Sequence, residues 1–284
     1  MRIIEGSSRV PVIYSAHHAS HDFGEFSDCV ALTNEQKIRF SDYGTEQTVP
    51  LNGLAAVIAE RSRALGDLNR DPDDPGRFQE QDYAKPTRHQ IWKKGLELNE
   101  ADKKYADDNF YKPFHDKLLE LLRQRDQLTF VVAWDNTAHY EIGRNESGDQ
   151  ITMKPFILSN RGKEESALPT EEEPVSCDPR FMELLAKSLA EELKKRSLPS
   201  EIHLNLVYKG GYVCSTYSTA RNRKELEEKG ITAEVQSLQI EYDTAITHDQ
   251  ETLEFHPDKA EAVREAFSNA IEKTYLDYTK KAEK

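Results

Sequence analysis

Three histidines and an aspartate, His17, His18, His21 and Asp22, stand together near the start of the chain, just after the short apolar run Val10 to Tyr14. Neutral imidazole is the commonest metal ligand and takes zinc, iron, nickel or copper. A β-branched and aromatic run that breaks into imidazoles reads as a buried strand ending at a ligand site, because α/β proteins place ligands outside the carboxyl ends of their strands. A surface turn that carries histidines fits the same stretch. A second junction of this kind lies downstream. Thr129-Phe130-Val131-Val132-Ala133-Trp134 is apolar throughout, as a strand covered on both faces must be, and it runs into Asp135-Asn136-Thr137-Ala138-His139. If the two strands are parallel neighbours, His18 and Asp135 meet at one edge of the sheet, and that coincidence favours a site over a turn.

Other candidate groups depend on their elements. In Val235 to Tyr242, Leu238 and Ile240 face one way and Ser237, Gln239 and Glu241 the other. On an edge strand that polar face is solvated; on an interior strand it aims Gln239 and Glu241 at a pocket. Gly210-Gly211 is a turn by default, and equally a place where backbone can approach a ligand closely. Arg70, taken alone, is more often a solvated charge than a substrate clamp, and His115 more often packs a helix than binds a metal.

The elements that must position these groups alternate between strand and helix. Asn34 to Asp42 has a helical tilt. Leu51, Leu54, Val57 and Ile58 recur at helical spacing among alanines and predict a helix. Arg63 to Leu68 reads as a short strand ending at Asn69 and Arg70. Residues 71–90 form a polar, proline-bearing loop long enough to serve as a lid. Asn99 starts a helix, and Phe114, Leu118, Leu121 and Leu122 stripe the next, Tyr111 to Arg125. The stretch from Ile142 to Pro174 is charged and reads as irregular. Asp178 caps an amphipathic helix carrying Phe181, Leu185, Leu189 and Leu193. Ile202 to Tyr208 predicts a strand, and Pro257 opens the last helix. This alternation implies a single α/β domain over residues 1–284 with a mainly parallel or mixed sheet.

Composition bounds the function. Asp plus Glu number 51 against 38 Lys plus Arg, a formal charge of −13, so nucleic acid is not the expected partner. No apolar run approaches the roughly 20 residues of a membrane span. Cys29, Cys177 and Cys214 are odd in number and fit no metal spacing, so reduced thiols in a cytoplasmic protein are expected. The start of the chain has no basic-then-apolar signal pattern.

The order of these turns resembles the N-formylglutamate amidohydrolase family, whose fold is related to the zinc carboxypeptidases. Ser15-Ala16-His17-His18-Ala19-Ser20 stands where the family has Pro-His-Ser-Gly after a strand. Ser41-Asp42-Tyr43 loosely matches an Asp-bearing turn. Ser62, Arg63, Asp67, Leu68, Asn69 and Arg70 match Ser-Arg-x-x-x-Asp-Leu-Asn-Arg in full. Tyr111-Lys112-Pro113-Phe114-His115 follows Tyr-x-Pro-Tyr-His, and Asn205 with Lys209-Gly210-Gly211-Tyr212 follows Asn-x-x-x-Lys-Gly-Gly-Tyr. Gln239-Ile240-Glu241 matches Gln-x-Glu. The likeness runs from residue 10 to about residue 245. Two positions depart: Asp135 replaces a ligand histidine, and Ser215 stands where the family often has an arginine suited to gripping a carboxylate.

The resemblance implies a three-layer α/β/α, phosphorylase/hydrolase-like fold and a zinc-dependent amidohydrolase acting on a small N-formyl or N-acyl amino acid. It implies His18, Asp42 and Asp135 as metal ligands, with His21 and Asp22 as alternatives for the third place and His139 available only if its turn is rebuilt. Aspartate can ligate zinc. Zinc would lower the pKa of bound water to about 7 for attack on the carbonyl, with Glu241 as general base. Arg63, Asn69, Arg70, Gly210, Gly211 and Tyr212 would bind substrate. The alternative is a non-catalytic homologue that holds an acidic metabolite in the same pocket.

Overall fold

The computed structural model describes residues 1–82 and 88–280. Its strands are β1 (Arg2–Glu5), β2 (Val12–Ala16), β3 (Ala55–Ile58), β4 (Thr129–Thr137), β5 (Glu141–Arg144), β6 (Gln150–Thr152), β7 (Phe156–Ser159), β8 (Ile202–Leu204) and β9 (Val235–Asp243). The helices are α1 (Asn34–Phe40), α2 (Thr45–Thr48), α3 (Glu100–Ala106), α4 (Lys112–Arg123), α5 (Pro179–Lys195), α6 (Tyr212–Thr216), α7 (Thr219–Glu228) and α8 (Pro257–Lys280). Seven strands form one mixed sheet in the order β1-β3-β2-β4-β9-β7-β8, and β5 and β6 form a separate hairpin. The four central strands, β3, β2, β4 and β9, are mutually parallel. β1 and β7 run antiparallel to their neighbours β3 and β9.

Strand alternation divides the core. Tyr14, Phe130, Val132, Trp134, Leu238 and Ile240 pack under α5 and α8, on Phe181, Leu185, Val263 and Phe267. Ile13, Val57, Val131, Ala133 and Val235 pack under α4, α6 and α7, on Phe114, Leu118, Val213 and Leu226. Helices therefore cover both faces of the sheet, the α/β arrangement expected. No helix among the described residues is long and apolar enough to cross a membrane.

Several elements differ from expectation. The stretch expected as a helix from Leu51 to Ala59 contains β3 instead. Ala55 and Val57 enter one core layer and Ala56 and Ile58 the other. A short run buried on both faces carries no period that separates strand from helix, and pairing in the sheet overrides alanine's helix propensity. Arg63 to Leu68 is not a strand but a 3₁₀ turn, Arg63–Leu65, capped by the Ser62 hydroxyl, followed by loop. The segment read as irregular holds β5, β6 and β7, the last buried beside β9. β8 ends at Leu204, where Asn205 and Val207 take left-handed conformations. The lid reading of residues 71–90 rests in part on 83–87, which lie outside the described residues.

Candidate functional site

Because β2 and β4 are adjacent and parallel, with Ser15 paired to Ala133, the turn after β2 and the end of β4 open at the same edge. β4 and β9 pair from Thr129↔Val235 to Thr137↔Asp243, which sets Asp135 directly opposite Glu241. Alternation then puts Ser15, Ala133, Asp135, Gln239 and Glu241 on the face opposite to Tyr14, Trp134 and Ile240. Every apolar partner in these strands helps aim this polar row at the carboxyl edge.

Asp135 is the hub. Its Oδ2 is 2.9 Å from His17 Nε2, and its Oδ1 is 3.5 Å from His18 Nδ1. Donor atoms of His17, His18 and Asp135 all lie within 4.8 Å of one another, and all three residues are buried. The other nitrogen of each ring is already used. His17 Nδ1 is 3.1 Å from the Ser15 carbonyl, and His18 Nε2 is 2.7 Å from Asp67 Oδ1. A carbonyl and a carboxylate accept, so those nitrogens carry protons, and in the neutral form of each ring the remaining lone pair faces Asp135. His17 Nε2 and both Asp135 oxygens are buried without a hydrogen-bond partner. Buried donor atoms that converge in this way can hold a cation. The 2.9 and 3.5 Å separations bracket the roughly 3.3 Å edge that follows from four bonds of about 2.0–2.1 Å in a tetrahedron.

Asp42, the expected third ligand, is not in that trio, but its Oδ2 is 3.5 Å from His18 Nδ1. His17 takes the third position. The tandem His17-His18 was visible in the sequence; that both rings turn to Asp135 follows from the strand's exact end, which came two residues later than the apolar run suggested. His21 packs its ring on Tyr43, Asp22 pairs with Arg61 at the surface, and His139 pairs with Asp243. None of the three joins the group.

The electrostatics are strongly coupled. Burial and the Arg63 guanidinium oppose a charge on His18, yet Asp67 and Asp135 outweigh them and raise its pKa well above that of free imidazole. Burial works against ionising Asp135, but His17 and His18 hold its carboxyl below the usual range. Burial also opposes ionisation of Asp67, where Arg63 and His18 more than compensate. Asp67 accepts from Arg63 at 2.7 Å, Gln79 at 3.0 Å and the Asn69 amide at 2.9 Å, so it is fixed as the orienter of His18. Burial raises Asp42, and raises Glu241 well above the ordinary carboxylate range with help from Asp135 and Asp42. Glu241 Oε2 accepts from Thr137 at 2.7 Å and Oε1 from Gln239 at 2.6 Å.

His18, Asp42, Arg63, Asn69, Arg70, Gly210, Gly211 and Glu241 line one cleft of about 490 Å³, joined by Arg39, Arg88, Tyr208 and Lys209. Arg63 and Arg70 are tied to carboxylates, Arg63 to Asp67 and Arg70 to Asp74 at 3.1 Å. Asn69 also braces the glycines. Its Oδ1 accepts from the Val213 amide, and a Cβ at Gly211 would sit 2.4 Å from its Nδ2, so a larger residue there would have to displace the Asn69 side chain. Tyr212 is not among the lining residues; its ring packs on His115. Ser215 Oγ caps its own turn through the Tyr212 carbonyl.

The chain matches the family model of N-formylglutamate amidohydrolase over residues 10–228. Among solved structures it is similar to the N-formylglutamate amidohydrolase from Ralstonia eutropha JMP134, with a TM-score of 0.61 and 16% sequence identity over 99% of this chain and 98% of that one. It is also similar to the gene product Atu2144 from Agrobacterium tumefaciens, with a TM-score of 0.59 and 14% identity over 98% and 95% of the two chains. At these identities the structural likeness is one of fold. No curated protein sequence matches the chain.

Proposed function

Because the chain belongs to the N-formylglutamate amidohydrolase family, we propose that it hydrolyses the amide of an N-formyl or N-acyl amino acid with the aid of a zinc ion and Glu241. The observation that carries this reading is the buried trio His17, His18 and Asp135, with its converging unpaired donor atoms, paired in register with Glu241. A zinc ion held by those three residues would polarise the acyl carbonyl and acidify a water molecule.

The chain's own groups do the rest. Glu241, raised by burial, accepts the proton of the attacking water and returns it to the amine nitrogen as the C–N bond breaks. Its carboxylate is held for this by Thr137 and Gln239. Gln239 is itself oriented by the Gly211 amide at 2.9 Å, so the Gly-Gly backbone fixes the base as well as the pocket wall. Arg70, Arg88 and Lys209 all line the cleft, Arg70 also pairing with Asp74 and Lys209 with Glu146, so cationic groups reach it in a chain of net charge −13, which suits a substrate bearing carboxylates.

Protein prepared without chelator or affinity-tag metal should contain stoichiometric zinc by elemental analysis and hydrolyse N-formylglutamate or a related N-acyl acidic amino acid. Glu241→Gln should keep the zinc and lose about 10²- to 10⁴-fold in kcat. Zinc-free, inactive protein that still binds such a ligand would support a binding protein instead, the reading that Asp135 in place of a histidine favours.

A further inference from the structure

Tyr208 is a phenol in the cleft that also holds Glu241, and the reaction above leaves it without a task. It ends a segment whose backbone is unusual. Asn205 and Val207 both have left-handed conformations, φ 53° and 60°, and Val207 is β-branched, which makes that conformation a true outlier. The segment is held there by buried polar groups. Asn205 exchanges hydrogen bonds with Asn160, at 3.0 Å to its amide and 2.8 Å to its side chain, and donates to the Ser166 carbonyl at 2.7 Å. The Ser159 hydroxyl fixes the Tyr208 carbonyl at 2.6 Å. Backbone strain maintained this way clusters at functional sites, and its product here is a ring that lines the cleft with His18, Asp42 and Glu241. Tyr208 shares the cleft wall with Thr137, the residue whose hydroxyl donates to Glu241 Oε2. Burial and the neighbouring Glu241 raise its pKa, so the group remains an O–H donor.

We propose that Tyr208 is a catalytic residue whose phenolic O–H donates a hydrogen bond to the acyl oxygen of the scissile amide as negative charge develops there. This rests on the amidohydrolase reading. As the water oxygen bonds to the acyl carbon, the C=O electron pair moves onto the acyl oxygen and the water's proton goes to Glu241. The Tyr208 hydrogen bond strengthens without proton transfer, and it relaxes when the carbonyl re-forms and the amine leaves with the proton from Glu241. A donor aimed at developing charge lowers the barrier more than it improves substrate binding.

Tyr208→Phe keeps the ring and its packing, so the test compares zinc-loaded wild type and variant. Steady-state kinetics on N-formylglutamate should show kcat lowered about 10²-fold with KM within about twofold. Zinc content and melting temperature should be unchanged. A phosphonamidate analogue of the tetrahedral state should bind the variant about 10²-fold more weakly. Wild-type turnover with an equally active Tyr208→Phe overturns the assignment alone. So does a loss shared equally by substrate and analogue, since that marks a merely structural residue. Wild type that turns over no N-acyl amino acid overturns the amidohydrolase reading, and the assignment with it.

Discussion

His18 and His115 are both nearly inaccessible, 5% and 8% exposed, yet their surroundings push them in opposite directions. Around His18, burial and Arg63 are outweighed by Asp67 and Asp135, and the ring's affinity for a positive charge rises. His115 sits on α4 among Tyr111, Phe114, Tyr212 and Tyr217, and burial lowers its pKa to about 3. Its Nδ1 is 2.8 Å from the Tyr217 hydroxyl, while its Nε2 is buried with no hydrogen-bond partner. Both regions thus contain unsatisfied nitrogens. Only the first sets them against a carboxylate, and only there does the arrangement call for a cation. Burial sets the cost of a charge; the neighbouring groups decide whether a charge is wanted.

The comparison breaks most visibly at Asp135. Asp135→Asn removes the negative charge that both His17 and His18 face while leaving the side-chain volume nearly unchanged. Zinc affinity, measured by competition with a chelator, should fall by more than the roughly 10- to 100-fold typical of losing an outer partner of a ligand. Variants at His115 should leave it unaltered. A Asp135→Asn protein that holds zinc as tightly as the parent would put the two histidines on the same footing. The next effect in size is at Asp67, which touches His18 Nε2 but lies outside the trio that could hold a metal ion. Asp67→Asn should weaken zinc binding by about 10- to 100-fold, because the imidazole loses its charged orienter. An affinity within twofold of the parent would mean that Arg63 and Gln79, which also hold Asp67, matter only to the fold.

Much of this contrast is legible in the sequence. Strands β4 and β9 are marked by an apolar run and by clean alternation, and their register follows once they pair; that alone brings Asp135 and Glu241 together. His115 is likewise readable as a packing residue from its place beside an apolar stripe. What the sequence hides is set by tertiary context. The run Ala55–Ile58 is equally apolar on both faces, so its period is ambiguous until β1 and β2 pair with it. Phe156–Ser159 is too short, amid charged residues, to announce a buried strand. His17 over Asp42 depends on which nitrogen of each ring is already engaged by Ser15 or Asp67, a fact of three-dimensional hydrogen bonding. Asp67 lies in a motif string and Tyr208 on an unspecified position of another, but nothing in their spacing shows that one touches His18 or that the other lines the cleft with Glu241.

The smallest expected effect sharpens the comparison from the other side. The His115 pKa in the folded chain lies below its ordinary value of 6.5, at about 3. Between those values the unfolded chain binds a proton that the folded chain refuses. The contribution of neutral His115 to stability is therefore present above about pH 6.5 and is lost as pH falls toward 3, at up to about 1.4 kcal/mol per pH unit. His115→Phe has no proton to bind in either state. At pH 7 it should be less stable by about 1 kcal/mol, the loss of the Tyr217 hydrogen bond. On acidification its stability should fall less steeply than that of the parent, so the difference between the two should shrink and then reverse before pH 4.5. Carboxylates such as Asp67 titrate in both proteins and cancel in the difference. Urea denaturation of the metal-free proteins at pH 7, 5.5 and 4.5 measures this directly. Parallel stability curves would show that His115 takes up its proton while folded, and that its surroundings are no more hostile to charge than those of His18.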